Sequence, residues 1–284
     1  MRRESVIRMV MTFTSSFEQL ADVESMETQP LLGKGEISSI HDEFRIILLN
    51  ALPLIATFFL QGSILSMPLI FVGRLGPLQL GGVAMANIIV TVCLAVFLGL
   101  GTSLDTLCPQ AYGAKKYKHI GLYFQRSVIL SILVAVPIIL IWLRSAYILA
   151  WFVDDSDIVA ISSDYLRLMT FSVPGFIIFE CGKRYFQAQN DFITGQYILF
   201  FCTPLNGILS YLMVLRFQFG YIGACYSLII TYNLMGLITL VSIYLSHRNA
   251  QVTNPELDCW HEFSTEVFRN WGPMVRLSAP AVIM

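Results

Sequence analysis

A carboxylate set in an apolar run is costly unless something nearby offsets its charge, and one such group stands out in this sequence. Glu180 lies in FIIFECGKRYFQ, with Lys183 three and Arg184 four residues further on. On a helix these three share a face, with the acid first, the favourable order for an ion pair. Two roles are open to it. The acid forms a structural pair near a membrane surface while the long basic side chains snorkel, or it exchanges a proton or cation as its exposure changes. Asp105, in GTSLDTLCPQAYGAKK, poses the same question: it caps or pairs at a helix end, or it serves gating or coupling. Asn206 and Ser210 in PLNGILSY fall one turn apart on one helix face, suited either to holding a ligand or to hydrogen-bonding across helices. Gln61, Asn87, Tyr211 and Thr231, with Asn233, are further polar groups in apolar surroundings that admit the same two roles.

Nothing in the residue pattern suggests bond-making chemistry. The four histidines, 41, 119, 247 and 261, have no metal-ligand spacing, and no nucleophile and base recur together. The six cysteines show no zinc pattern, and Cys93, Cys181, Cys202 and Cys225 sit inside apolar runs where a thiol acts as a small hydrophobe. The expectation is a protein with no catalytic residues, no metal and no organic cofactor.

The elements that position these groups follow from composition. The 284 residues are 56% hydrophobic and 13% charged, against about 25% charged in a typical soluble domain, and mean hydropathy is +0.67. A polytopic membrane protein is implied. Net charge of -1 gives no electrostatic reason to expect a nucleic-acid partner. A spanning helix needs about 20 apolar residues, and runs of that kind occur near 45–72, 78–107, 119–143, 165–182, 192–215 and 221–245. They are too long and uniformly apolar for barrel strands, so they read as six helices. Pro109 is expected to halt the second helix and Gly113 to permit the turn after it, with Lys115, Lys116 and Lys118 facing anionic headgroups.

The domain reading is a disordered tail over 1–43, a six-helix lobe over 44–247, and a linker with the start of a seventh helix over 248–284, where WGPMVRLSAPAVIM opens. The chain reads as cut within that seventh helix. Orientation follows from the basic residues: with the tail in the cytoplasm, fourteen of the 18 Lys and Arg lie on that side, and only Arg74, Arg144, Arg167 and Arg216 opposite. A seven-helix receptor, with its N-terminus outside, runs against this bias. In the tail, Glu27 followed by Leu31-Leu32 has the acidic dileucine form, which resembles a sorting signal for vacuolar or lysosomal membranes.

Five stretches in order, VGRLGPLQLGGVAMAN, LDTLCPQAYGAKK, YLRLMTFSVPGFIIFECGKRYFQAQND, LNGILSY and GYIGACYS, resemble the multidrug and toxic compound extrusion (MATE) transporters, most of all the eukaryotic and fungal branch. The resemblance covers residues 40 to 284. It implies an all-α fold of two six-helix lobes, of which this chain holds the N-terminal one, missing its C-terminal partner. It also implies export of small organic cations, drugs or toxic compounds by alternating access, in exchange for protons or sodium ions; the expected location is the vacuolar or plasma membrane. Prokaryotic members carry an aspartate on the first helix where this sequence has Pro68, and eukaryotic members are thought to place key acids in the second lobe. Asn206 matches a cation-binding asparagine of prokaryotic members, whereas Ser210 stands where they have an acid or amide. A lipid-linked oligosaccharide flippase of the same superfamily, which would need several cations in its cavity, and a regulatory half-protein without transport are the alternatives.

Overall fold

In the computed structural model, residues 40–253, 258–260, 265–268 and 271–283 are described. The chain divides into two units, Met1–Leu49 and Asn50–Met284, and the second holds the helix packing and the polar clusters. The expected sorting signal at Glu27, Leu31 and Leu32, and the expected tail as far as residue 39, lie outside the described residues.

Helix α1 runs Ile40–Val72, beginning inside the stretch expected to be tail. It is followed by α2 Pro77–Gly113, α3 Tyr117–Leu143, the short α4 Ser145–Leu149, α5 Ser156–Met169, α6 Val173–Gln187, α7 Ile193–Tyr211, α8 Tyr221–Thr253 and α9 Gly272–Ile283. Five of these, within α1, α2, α3, α7 continued to Arg216, and α8, are long and apolar enough to cross a membrane. The fourth expected span, 165–182, is built differently. It is the end of α5, a 3-10 turn at Thr170–Ser172, and α6, whose first turn carries Pro174. Proline is well placed there, because a first-turn N–H has no intrahelical acceptor to lose. At the other end of the two-piece segment, the Asp155 side chain caps α5 by accepting from the amides of Asp157 and Ile158, at 3.0 and 3.4 Å.

Two expectations about the end of α2 need correction. Pro109 lies inside the helix, which continues to Gly113. Proline deletes one N–H and crowds one carbonyl, a local defect that the rest of a long membrane helix carries without ending. The turn itself is made at Lys115, which takes φ 57°, and not at Gly113. Lys116 N then donates to Ala111 O at 2.9 Å, the six-to-one bond that closes a helix through a left-handed residue.

Small residues set the spacing of the helices. A Cβ on Gly175 of α6 would lie 2.4 Å from Tyr232 O of α8, one on Gly236 would lie 2.8 Å from Gly175 O, and one on Gly182 would strike Thr239. Helix α6 is thus clamped backbone to backbone against α8. This is how membrane helices associate where apolar burial offers little driving force. Helix α9 packs on α2 in the same manner: a Cβ on Gly99 would lie 2.9 Å from Ala281 O, and Ser278 Oγ donates to Leu100 O at 3.2 Å. The interior around these contacts is apolar, with Trp142, Tyr165, Phe179, Leu104 and Leu199 fully enclosed. Large apolar side chains such as Phe58, Phe59, Ile88, Leu133 and Leu237 face outward, as a surface solvated by lipid requires.

Candidate functional site

Helix periodicity places Glu180, Lys183 and Arg184 on one face of α6, and packing turns that face inward. Glu180 is 1% exposed and the two basic side chains 8% and 10%. Lys183 Nζ lies 3.0 Å from Glu180 Oε1, and Arg184 Nη1 lies 2.7 Å from Glu180 Oε2. The i,i+3 and i,i+4 contacts expected for a structural pair are therefore both made. From α1, Gln61 joins as donor and acceptor together: its Nε2 donates to Glu180 Oε1, and its Oε1 accepts from Lys183 Nζ at 3.0 Å. That dual role fixes the orientation of the amide.

Arg184 extends the cluster to α2. Its Nε lies 3.2 Å from Asp105 Oδ1, and its Nη2 donates to Leu98 O at 3.2 Å. The two acids singled out from sequence, 75 positions apart, are thus joined through one guanidinium. Asp105, Glu180, Lys183 and Arg184 balance in formal charge, which is what lets three of these ionic groups sit nearly enclosed. The enclosure is uneven: Asp105 is 50% exposed, so the quartet has a wet end and a dry end. Space for the guanidinium comes from Gly101, where a Cβ would lie 2.6 Å from Arg184 Cζ. Sequence reading did not give Gly101 a role. Its signal was a glycine inside a helical run, which loses stability unless something must approach closely.

A second network joins α1, α7 and α8. Asn206 Nδ2 donates to Ile64 O at 3.1 Å, Ser210 Oγ donates to Asn206 Oδ1 at 3.0 Å, and Ser210 and Ser227 hydroxyls meet at 2.8 Å. Thr231 Oγ1 donates to Ser227 O at 2.7 Å. All four side chains are fully enclosed. Asn206 and Ser210 thus link helices in this arrangement, whereas Thr231 bonds back within α8. The remaining candidates stand apart: Tyr211 is 49% exposed with its ring edge-on to Phe71, and Asn87 is buried on α2 with its Oδ1 unpartnered. The six substrate candidates therefore divide, with Gln61 in the charge cluster, three in the α1–α7–α8 network and two in neither.

Comparison with known proteins bears on what this arrangement serves. Residues 53–212, more than half of the chain, match the MatE family. The chain belongs to the MatE family. Among curated MatE-like relatives, it is 33% identical over 245 residues to the uncharacterized transporter YDR338C of Saccharomyces cerevisiae, covering 85% of this chain and 34% of that protein. It is 32% identical over 265 residues to Protein DETOXIFICATION 15 of Arabidopsis thaliana, covering 92% and 54%. The crystal structure of the eukaryotic MATE transporter AtDTX14 superposes with a TM-score of 0.74 at 22% identity, over 81% of this chain and 50% of that one. The chain thus spans between about a third and about half of the length of these proteins. The fold matches that of solved MATE transporters over about half of their length. MatE proteins are transporters rather than enzymes, and the helices here make this member a multi-pass integral membrane protein.

Proposed function

We propose that these helices form the first lobe of a two-lobed secondary antiporter, which exports organic cations, drugs or toxic compounds in exchange for protons or sodium ions by alternating access. The observation that carries this reading is the superposition of the chain on half of a eukaryotic MATE transporter, together with the family match over 53–212. A lobe lines one wall of a cleft, and alternating access needs a second wall to rock against it. Its partners are then the bilayer, small organic substrates and a C-terminal lobe, and the coupling ion takes the place of any cofactor. The basic residues favour a cytoplasmic N-terminus, and the membrane is vacuolar or plasma.

Within the lobe, this reading gives the two acids different duties. Asp105 is the wet end of the quartet, where an arriving proton or sodium ion competes with Arg184 for the carboxylate. Glu180 is enclosed between two cations and an amide and anchors Arg184 from behind. Gating then consists of releasing Arg184 from α2 while it remains held on α6. That is a two-position element of the kind that alternating access requires.

The test is uptake of a fluorescent organic cation into proteoliposomes under an imposed pH gradient, and separately under a sodium gradient. A protein comprising this lobe joined to a second lobe is expected to transport, and its Asp105→Asn variant to lose gradient-driven uptake while still binding dye. Transport that responds to neither gradient, in a correctly folded two-lobed protein, overturns the antiport reading.

A further inference from the structure

At one end of the bundle the chain turns a group of aromatic side chains outward. The short helix α4, Ser145–Leu149, follows α3 and is closed by bonds from Phe152 N and Val153 N to Leu149 O, at 2.9 and 3.0 Å. Ser145 and Leu149 are buried and Val153 packs against the core, so this face holds the segment to the protein. On the opposite face Tyr147, Trp151 and Phe152 are 77%, 89% and 79% exposed, with the exposed Ile148 beside them. Trp151 is the most exposed large apolar side chain among the described residues. The segment is fixed on one face and bare on the other, and both faces are apolar. A lone exposed apolar residue needs no explanation, but a cluster of large ones marks a surface that something covers.

What covers it follows from its place. Ser162 of α5 donates to Gly82 O near the start of α2 at 2.8 Å, whereas Arg184 near the end of α6 lies against Gly101 and Asp105 further along α2. The two-piece segment thus runs parallel to α2. Its start, and α4 just before it, lie at the end of the bundle opposite the Lys115 turn that closes α2. Cys225 of α8 donates to Tyr165 O of α5 at 3.4 Å, and Thr239 of α8 abuts Gly182 of α6, so α8 runs the same way. Phe217 and Phe219, just before α8, are therefore exposed at that same end, with rings 6.1 Å apart. Along the chain, the outward strip Leu133, Val136 and Leu140 of the spanning helix α3 leads through exposed Arg144 to Tyr147 and Trp151, at unbroken spacings of three and four. Exposed acids, Asp154 and Asp155, follow at once. Aliphatic groups before, charges after and rings with a polar tip between is the order met on passing from acyl chains through headgroups to water.

We infer that Tyr147, Ile148, Trp151 and Phe152 form a lipid-binding surface, seated at the boundary of headgroups and acyl chains in the leaflet opposite the Lys115 turn. The occupant is the bilayer interface itself. Recognition is by ring area and polar tips and needs no particular headgroup charge, because the charges flanking the patch, Arg144 before it and Asp154 and Asp155 after it, are of both signs. The surface holds the connection between α3 and α5 at a fixed depth. It is independent of the antiport reading, since it requires only that α3 spans the bilayer.

The experiment reads the depth of Trp151. The full chain and its Trp151→Phe variant, which keeps Trp142, Trp260 and Trp271, are reconstituted into phosphatidylcholine vesicles brominated either near the headgroup end of the acyl chains or near their tips. The difference in emission between the two proteins is the signal of Trp151. It is expected to lie to the blue of tryptophan in water, to lose more intensity to bromines near the headgroups than to bromines at the tips, and to lose little to aqueous iodide. Should Trp151→Phe fail to fold, Trp151→Tyr supplies the same subtraction. Greater loss to iodide than to either brominated lipid puts the patch in water. Loss to no quencher puts it against protein, whether a second copy or a second lobe, and greater loss to the tip bromines puts it in the acyl core. Any of these three results overturns the inference.

Discussion

Arg184 of α6 reaches across to Asp105 of α2, with 3.2 Å between Nε and Oδ1, while its other edge is held by Glu180 at 2.7 Å. The two contacts differ in surroundings, Glu180 being enclosed and Asp105 half exposed. They should therefore differ in energy, since water screens the second contact and not the first.

Removing Glu180 alone leaves Lys183 enclosed without a counter-charge and Arg184 with only the half-exposed Asp105. Glu180→Gln is expected to destabilise the folded protein by about 3–5 kcal/mol, the usual cost of breaking a buried pair from one side. Asp105→Asn is expected to cost only about 0–1 kcal/mol. Unfolding in mixed micelles, monitored by circular dichroism, measures both, and equal losses would show the two contacts to be energetically alike.

Gly101 gives the guanidinium its room. Gly101→Ala is expected to displace Arg184 at a cost of about 1–3 kcal/mol, typical of overpacking, and to cost almost nothing once Arg184 is already alanine. A double-mutant cycle on the same unfolding assay tests this, and simple additivity would mean that the added methyl is accommodated elsewhere.

The α1–α7–α8 network makes a separable claim. Ser210→Ala removes bonds to Asn206 and Ser227, and a hydrogen bond between membrane helices averages about 0.6 kcal/mol. A small loss of stability with unchanged affinity for organic cations is expected. A change in dye affinity at constant stability would instead place Ser210 at the substrate.

Helix spacing can be tested with a pair of glycines. Gly236 faces the backbone of Gly175, whereas a Cβ on Gly62 meets nothing within 4 Å. Gly236→Val is expected to abolish the folded monodisperse protein in size-exclusion chromatography, and Gly62→Ala to leave it intact. Equal tolerance at both sites would contradict the close approach of α6 and α8.

Much of the molecule was readable from the chain itself. Apolar runs gave the helices, because a bilayer admits few other ways to satisfy backbone groups, and the spacing of Glu180, Lys183 and Arg184 gave their shared face. The fourth span was legible only in part. Its apolar run marked it as a span, but the break at Thr170–Ser172 depends on how α5 and α6 each pack. Pro109 misled because helix continuation depends on the whole helix rather than on one missing donor.

Sequence alone thus determined which residues could be ionic partners along a helix, which segments are helices and which family resemblance to expect, since periodicity and hydropathy are local properties of the chain. Tertiary structure alone decided that Arg184 joins Asp105 to Glu180, that Gln61 completes the cluster, and that Asn206 and Ser210 point at neighbouring helices. Those relationships depend on how far α1, α2, α6, α7 and α8 approach and rotate against one another. That approach is set by a few glycines whose partners lie tens of residues away, where no local pattern can name them.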